Sequence, residues 1–84
     1  MSNILYFSTQ WCGPCKMFKP VVEEVAQQAG VAVQFIDAEQ HRDLAAKYGI
    51  SSVPAIVITV GGNAVNKLVG PQPKARLMEI FSNI

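Results

Sequence analysis

The chain has 84 residues, half of them apolar, with seven basic and six acidic side chains and a formal net charge of +1. That length allows one domain with a small core, burying about 60–65% of the unfolded surface, and the balanced charge provides no basic stripe for nucleic acid. The longest apolar run, Val53 to Val60, contains Pro54 and is too short for a membrane helix of roughly 20 residues, and the start of the chain has neither the cationic opening nor the cleavage site of a secretory signal. A cytoplasmic protein is therefore expected.

The elements follow from periodicity. Ile4 to Phe7 is a short apolar run that ends in Ser8-Thr9-Gln10 and reads as a buried strand. From Cys12 the period changes: Met17, Phe18, Val21, Val22, Val25, Ala26 and Ala29 recur at three-and-four spacing, one face of a helix that stops at Gly30. Pro20 lies inside it and predicts a bend near Lys16. Val31 to Ile36 reads as a second strand, with Asp37, Glu39 and His41 as loop and cap residues. A short helix from about His41 to Tyr48 turns Leu44, Ala45 and Tyr48 inward and ends at Gly49. Ala55 to Val60 is β-branched and strand-like, Gly61-Gly62-Asn63 makes a hairpin turn, and Ala64 to Val69 returns as an edge strand. After Gly70-Pro71 a last helix, roughly Pro73 to Asn83, turns Leu77, Ile80, Phe81 and Ile84 inward. The resulting fold class is α/β in the order β-α-β-α-β-β-α, a four-stranded mixed sheet with helices on both faces. The whole chain, 1–84, reads as one domain.

The only two cysteines are Cys12 and Cys15, two residues apart at the start of the first helix. A bridge across so short a spacing restrains almost nothing in the unfolded chain, so a structural role is a poor account of it. Two thiols also supply only two zinc ligands, and the single histidine, His41, lies far along the chain. Redox chemistry fits better: the pair can close into a disulfide ring and reopen. Cys12 is expected to attack, because a helix N-terminus favours an anion and lowers a thiol pKa from about 8.5 toward about 7. Cys15, one turn in and less exposed, is expected to resolve the mixed disulfide. Gly13 allows a close turn, and Pro14 fits the first helical turn, where its missing donor costs nothing.

Trp11-Cys12-Gly13-Pro14-Cys15-Lys16 after the first strand, together with Val53-Pro54 before the third, resembles the thioredoxin family over nearly the whole chain. Pro20 resembles that family's helix-kinking proline, Tyr48 to Pro54 the segment carrying its cis proline, and Gly62 and Gly70 the glycines of its closing hairpin and substrate surface. The sequence departs from the family pattern by opening without the usual first strand and helix. Tyr6 stands where the family has a buried aspartate beneath the second cysteine, and Val33 where it has the paired lysine.

The resemblance implies a thioredoxin-like protein-disulfide reductase with no bound cofactor beyond the Cys12–Cys15 disulfide, and a potential nearer roughly −270 mV than roughly −120 mV. Its partners would be proteins with exposed disulfides and, as donor, a thioredoxin reductase-type flavoenzyme. It is expected to be a monomer with no nucleic-acid or membrane partner. Trp11, Gly13, Pro14, Val53, cis Pro54 and Gly70 would form the active-site loop and substrate surface, with Val53 pairing to an extended substrate segment. On the residues themselves, Lys16 and Lys19 would either add positive potential near the thiolate or form a solvated helix face, and Tyr6, a phenol of pKa about 10, would be a poor base for Cys15. Two alternatives remain open: a glutaredoxin-like enzyme that uses glutathione, and a non-catalytic docking adaptor.

Overall fold

In the computed structural model, which describes residues 2–84, four strands and three helices follow in the expected order. β1 (Ser2–Ser8) leads through a turn at residues 9–12 into α1 (Gly13–Ala29), followed by β2 (Val33–Asp37) and α2 (Arg42–Lys47). β3 (Ala55–Val60) and β4 (Asn63–Val69) form the hairpin, and α3 (Lys74–Ser82) follows them. The sheet order is β2-β1-β3-β4, with β1 parallel to β2 and antiparallel to β3, and β3 antiparallel to β4. The helical crossover between β1 and β2 makes the parallel pair, and the tight hairpin makes the antiparallel one. Gly61 and Gly62, both at positive φ, supply the backbone that so short a turn requires.

Strand alternation divides the core into two layers. Ile4, Tyr6, Ile56 and Ile58 face α1 and α3, where Phe18, Val22, Val25, Leu77 and Phe81 cover them. Leu5, Phe7, Ala55 and Val57 face the other way and meet Ile36 and Ala45, with Leu44, Tyr48 and Ile50 packed at the margin. Fully burying each such aliphatic or aromatic side chain contributes roughly 1.5–3 kcal/mol. Helices therefore lie on both faces, as the apolar patterning predicts.

The structure corrects the sequence reading at several points. Met17 is 81% exposed and Ile84 is 43% exposed, although both were expected to face inward. The buried stripe of α1 is Cys15, Phe18, Val22, Val25 and Ala26, and at about 100° per residue position 17 falls roughly 130° from its centre. Ile84 lies beyond the α3 cap at Asn83, off that helix's face. Val31 belongs to the end of α1 rather than to β2. With Gly30 left-handed, the Val31 N–H bonds back to the Ala26 carbonyl at 3.0 Å and closes the helix. β1 is longer than its apolar run because Ser2 and Asn3 pair with Val60 and Thr59. Asp37 caps its own turn, its carboxylate accepting the Glu39 and Gln40 N–H groups, whereas the His41 side chain makes no cap bond to α2.

Candidate active site

Strand register gathers the predicted site residues at one end of the sheet. Phe7 pairs with Ala55 and Ala55 with Val69. The chain leaving β1 toward Cys12, the chain entering β3 from Val53-Pro54 and the chain leaving β4 at Gly70 therefore share one edge. The Gly70 N–H donates to the Pro54 carbonyl at 2.8 Å, tying two of these segments together. The Val53–Pro54 peptide bond is cis. Val53 is half-buried, and its own N–H and C=O take part in none of the backbone hydrogen bonds among the described residues.

Cys12 and Cys15 form a disulfide with Cα atoms 5.2 Å apart. Cys12 is the N-cap of α1, in extended conformation, and the Cys15 N–H points at its Sγ at 3.1 Å. Pro14 occupies the first helical turn, and that turn carries no acidic residue, so no carboxylate competes with sulfur for the positive end of the helix. A negative charge on Cys12 would therefore meet a backbone donor and the helix dipole together. Cys12 is partly exposed, while Cys15 is 2% exposed. Of the two cysteines, Cys12 is the more exposed.

Beneath the pair lies Tyr6, completely buried, with its hydroxyl donating to the Cys15 carbonyl at 2.8 Å. Its ring is tilted against Phe18 of α1 at 6.0 Å and meets Phe35 of β2 edge-on at 5.5 Å. Burial pushes the Tyr6 phenol up to about 12, so it stays neutral and cannot serve as a base near neutral pH. Phe35 was not singled out from the sequence. Its parallel register with Tyr6 puts the two on one face, and the sequence pattern alone does not show that pairing. Val33 is a half-buried apolar contact of the same layer.

Trp11 stands 82% exposed beside Cys12. Lys16 is exposed, and its side chain makes no hydrogen bond or ion pair among the described residues, while its backbone N–H donates to the Cys12 carbonyl at 3.3 Å. Lys19 sets its ammonium 5.0 Å over the Phe35 ring. An open cleft of about 340 Å³ lies beside the loop, lined by Thr9, Arg42, Ala45, Ile50 and Val53 among others. Among the described residues no group of three or more His, Cys, Asp or Glu could hold a metal ion, and no helix is long and apolar enough to cross a membrane.

Comparison with known proteins agrees with this geometry. Residues 2–83 match the family model described as Thioredoxin. The chain is 40% identical over 78 residues to a thioredoxin of Bacillus subtilis, covering 90% of this chain and 75% of the relative. It is also 40% identical over 81 residues to a thioredoxin of Staphylococcus aureus, covering 94% and 78%. Among solved structures, a mutant thioredoxin from Halobacterium salinarum superposes with a TM-score of 0.89 at 36% identity, covering 98% of this chain and 73% of that one. A Fasciola hepatica thioredoxin gives 0.86 at 30% identity, covering 98% and 79%. The chain belongs to the thioredoxin family of thiol-disulfide oxidoreductases.

Proposed function

We propose that the chain is a protein-disulfide reductase in which Cys12 attacks and Cys15 resolves. The observation that carries the division of labour is the contrast between a partly exposed, helix-capping Cys12 and a buried Cys15 bridged to it. In the reduced protein the Cys12 thiolate attacks one sulfur of a substrate disulfide, forming a mixed disulfide and releasing the first substrate thiolate. Cys15, giving up its proton, attacks Cys12 Sγ. The Cys12–Cys15 bond forms, the bond from Cys12 to substrate breaks, and the second substrate thiolate leaves and takes a proton. The substrate gains two electrons and the protein loses them.

Val53 supports a protein substrate over a small thiol. Its free N–H and C=O lie at the same sheet end as Cys12 and can pair with an extended segment, while Trp11 offers a flat apolar surface and the neighbouring cleft accepts a side chain. The donor in this reading is a flavoenzyme of the thioredoxin reductase type, in a cytoplasm that keeps thiols reduced. The test is intact-mass analysis after mixing each reduced variant with a disulfide-containing protein. Cys15→Ser should accumulate a covalent one-to-one adduct and Cys12→Ser should form none. An adduct on Cys12→Ser would reverse the assignment.

A further inference from the structure

Among the described residues, the Tyr6 hydroxyl is the one buried side-chain group bonding to the backbone of the redox loop. Its acceptor is the carbonyl of Cys15, one residue before the place where α1 is short of a donor. Pro20 has no N–H, so the Lys16 carbonyl loses its helical partner four residues on. Tyr6 adds a bond at the neighbouring carbonyl, in a ring position fixed on two sides by Phe18 and Phe35. In the disulfide state the Cys12–Cys15 bridge also restrains this turn. In the mixed-disulfide state that bridge is absent, and Cys12 is tied to substrate instead.

We propose that Tyr6 is the positioning residue for Cys15, its hydroxyl bond to the Cys15 carbonyl holding the first turn of α1 so that the resolving sulfur stays in line with the mixed disulfide. This rests on the assignment of Cys12 as attacker and Cys15 as resolver. Tyr6 touches neither sulfur in this role and transfers no proton. It raises the effective concentration of Cys15 at Cys12 Sγ during the second step alone. Removing one neutral hydrogen bond should therefore slow resolution roughly fivefold while leaving the attack of Cys12 unchanged.

Both steps can be read with the small aromatic disulfide 5,5′-dithiobis(2-nitrobenzoate) by stopped flow. The first chromophore is released at attack, in proportion to reagent concentration, and the second at resolution, independent of it. Tyr6→Phe should keep the first rate within twofold and slow the second about fivefold. Phe81→Leu, a core change on α3 away from the loop, should lower thermal stability without slowing resolution. Equal resolution rates in parent and Tyr6→Phe would overturn the proposal, as would a matching slowdown in Phe81→Leu, which would make the effect one of general stability. Cys15→Ser should release a single chromophore. If it releases none at the parent's first rate while Cys12→Ser releases one at that rate, the attacker–resolver assignment itself fails, independently of Tyr6.

Discussion

Raising the pH beyond 10 should weaken this fold through one side chain, Tyr6. An exposed phenol titrates near pH 10, and burial pushes the Tyr6 phenol up to about 12. A group whose folded value is raised contributes its full stability below the unfolded value, and that stability is lost as pH climbs through the folded one. Two units correspond to a loss of about 3 kcal/mol between pH 10 and 12, a large part of the several kcal/mol typical of so small a domain. Tyr6→Phe removes the ionisation but also the bond to the Cys15 carbonyl, at a cost of about 1 kcal/mol. The two stability curves should therefore cross. The parent should be the more stable protein at pH 7 and the less stable at pH 12, with equality at about pH 10.5–11, where the ionisation term equals the lost hydrogen bond. Urea unfolding of both oxidised proteins at pH 7, 10, 11 and 12 measures this directly, because the lysines and Tyr48 are common to both. Curves that stay parallel to pH 12 would show that the phenol is not held neutral by burial.

Other outcomes follow from exposure and packing. Trp11→Ala, at an 82% exposed position, should change unfolding free energy by less than about 0.5 kcal/mol yet raise the KM for a protein disulfide at least about fivefold; steady-state kinetics and urea unfolding together check it. Leu77→Ala removes a fully buried side chain between α3 and the sheet and should lower the unfolding free energy by about 2–5 kcal/mol in urea titrations. Glu24→Gln breaks the 2.6 Å ion pair to Lys74, but both side chains are half exposed, so the loss should stay below about 1 kcal/mol and shrink further in 1 M salt.

The apolar periods of this chain make the element order, the mixed sheet and the two-sided core legible, because each depends on spacing within a short window. Cys12 and Cys15 are legible for the same reason: the loop, the cap and the thiols lie within one turn of sequence. What spacing does not carry is contact between segments. Tyr6 could be placed beneath Cys15 by resemblance, but its bond to that residue's carbonyl and its contact with Phe35 need the β1–β2 register and the return of α1 over the sheet. The contact of the Lys19 ammonium with Phe35 was hidden for a similar reason, since that ring stands on another element. Met17 misled because it stands four residues before Val21 and so fits three-and-four spacing, although it falls well outside the stripe that packing buries.

The central claim is that Cys12 and Cys15 cycle between dithiol and disulfide to reduce proteins. Its most direct measurement is the rate of insulin disulfide reduction by catalytic amounts of the chain. One arm is driven by NADPH with a thioredoxin reductase-type flavoenzyme, the other by glutathione with its reductase. Robust multiple turnover in the first arm, little in the second, and none in either with Cys12→Ser is the predicted result. Turnover by Cys12→Ser at the parent's rate would contradict a catalytic role for the pair, and turnover confined to the glutathione arm would make the chain a glutathione-dependent enzyme instead.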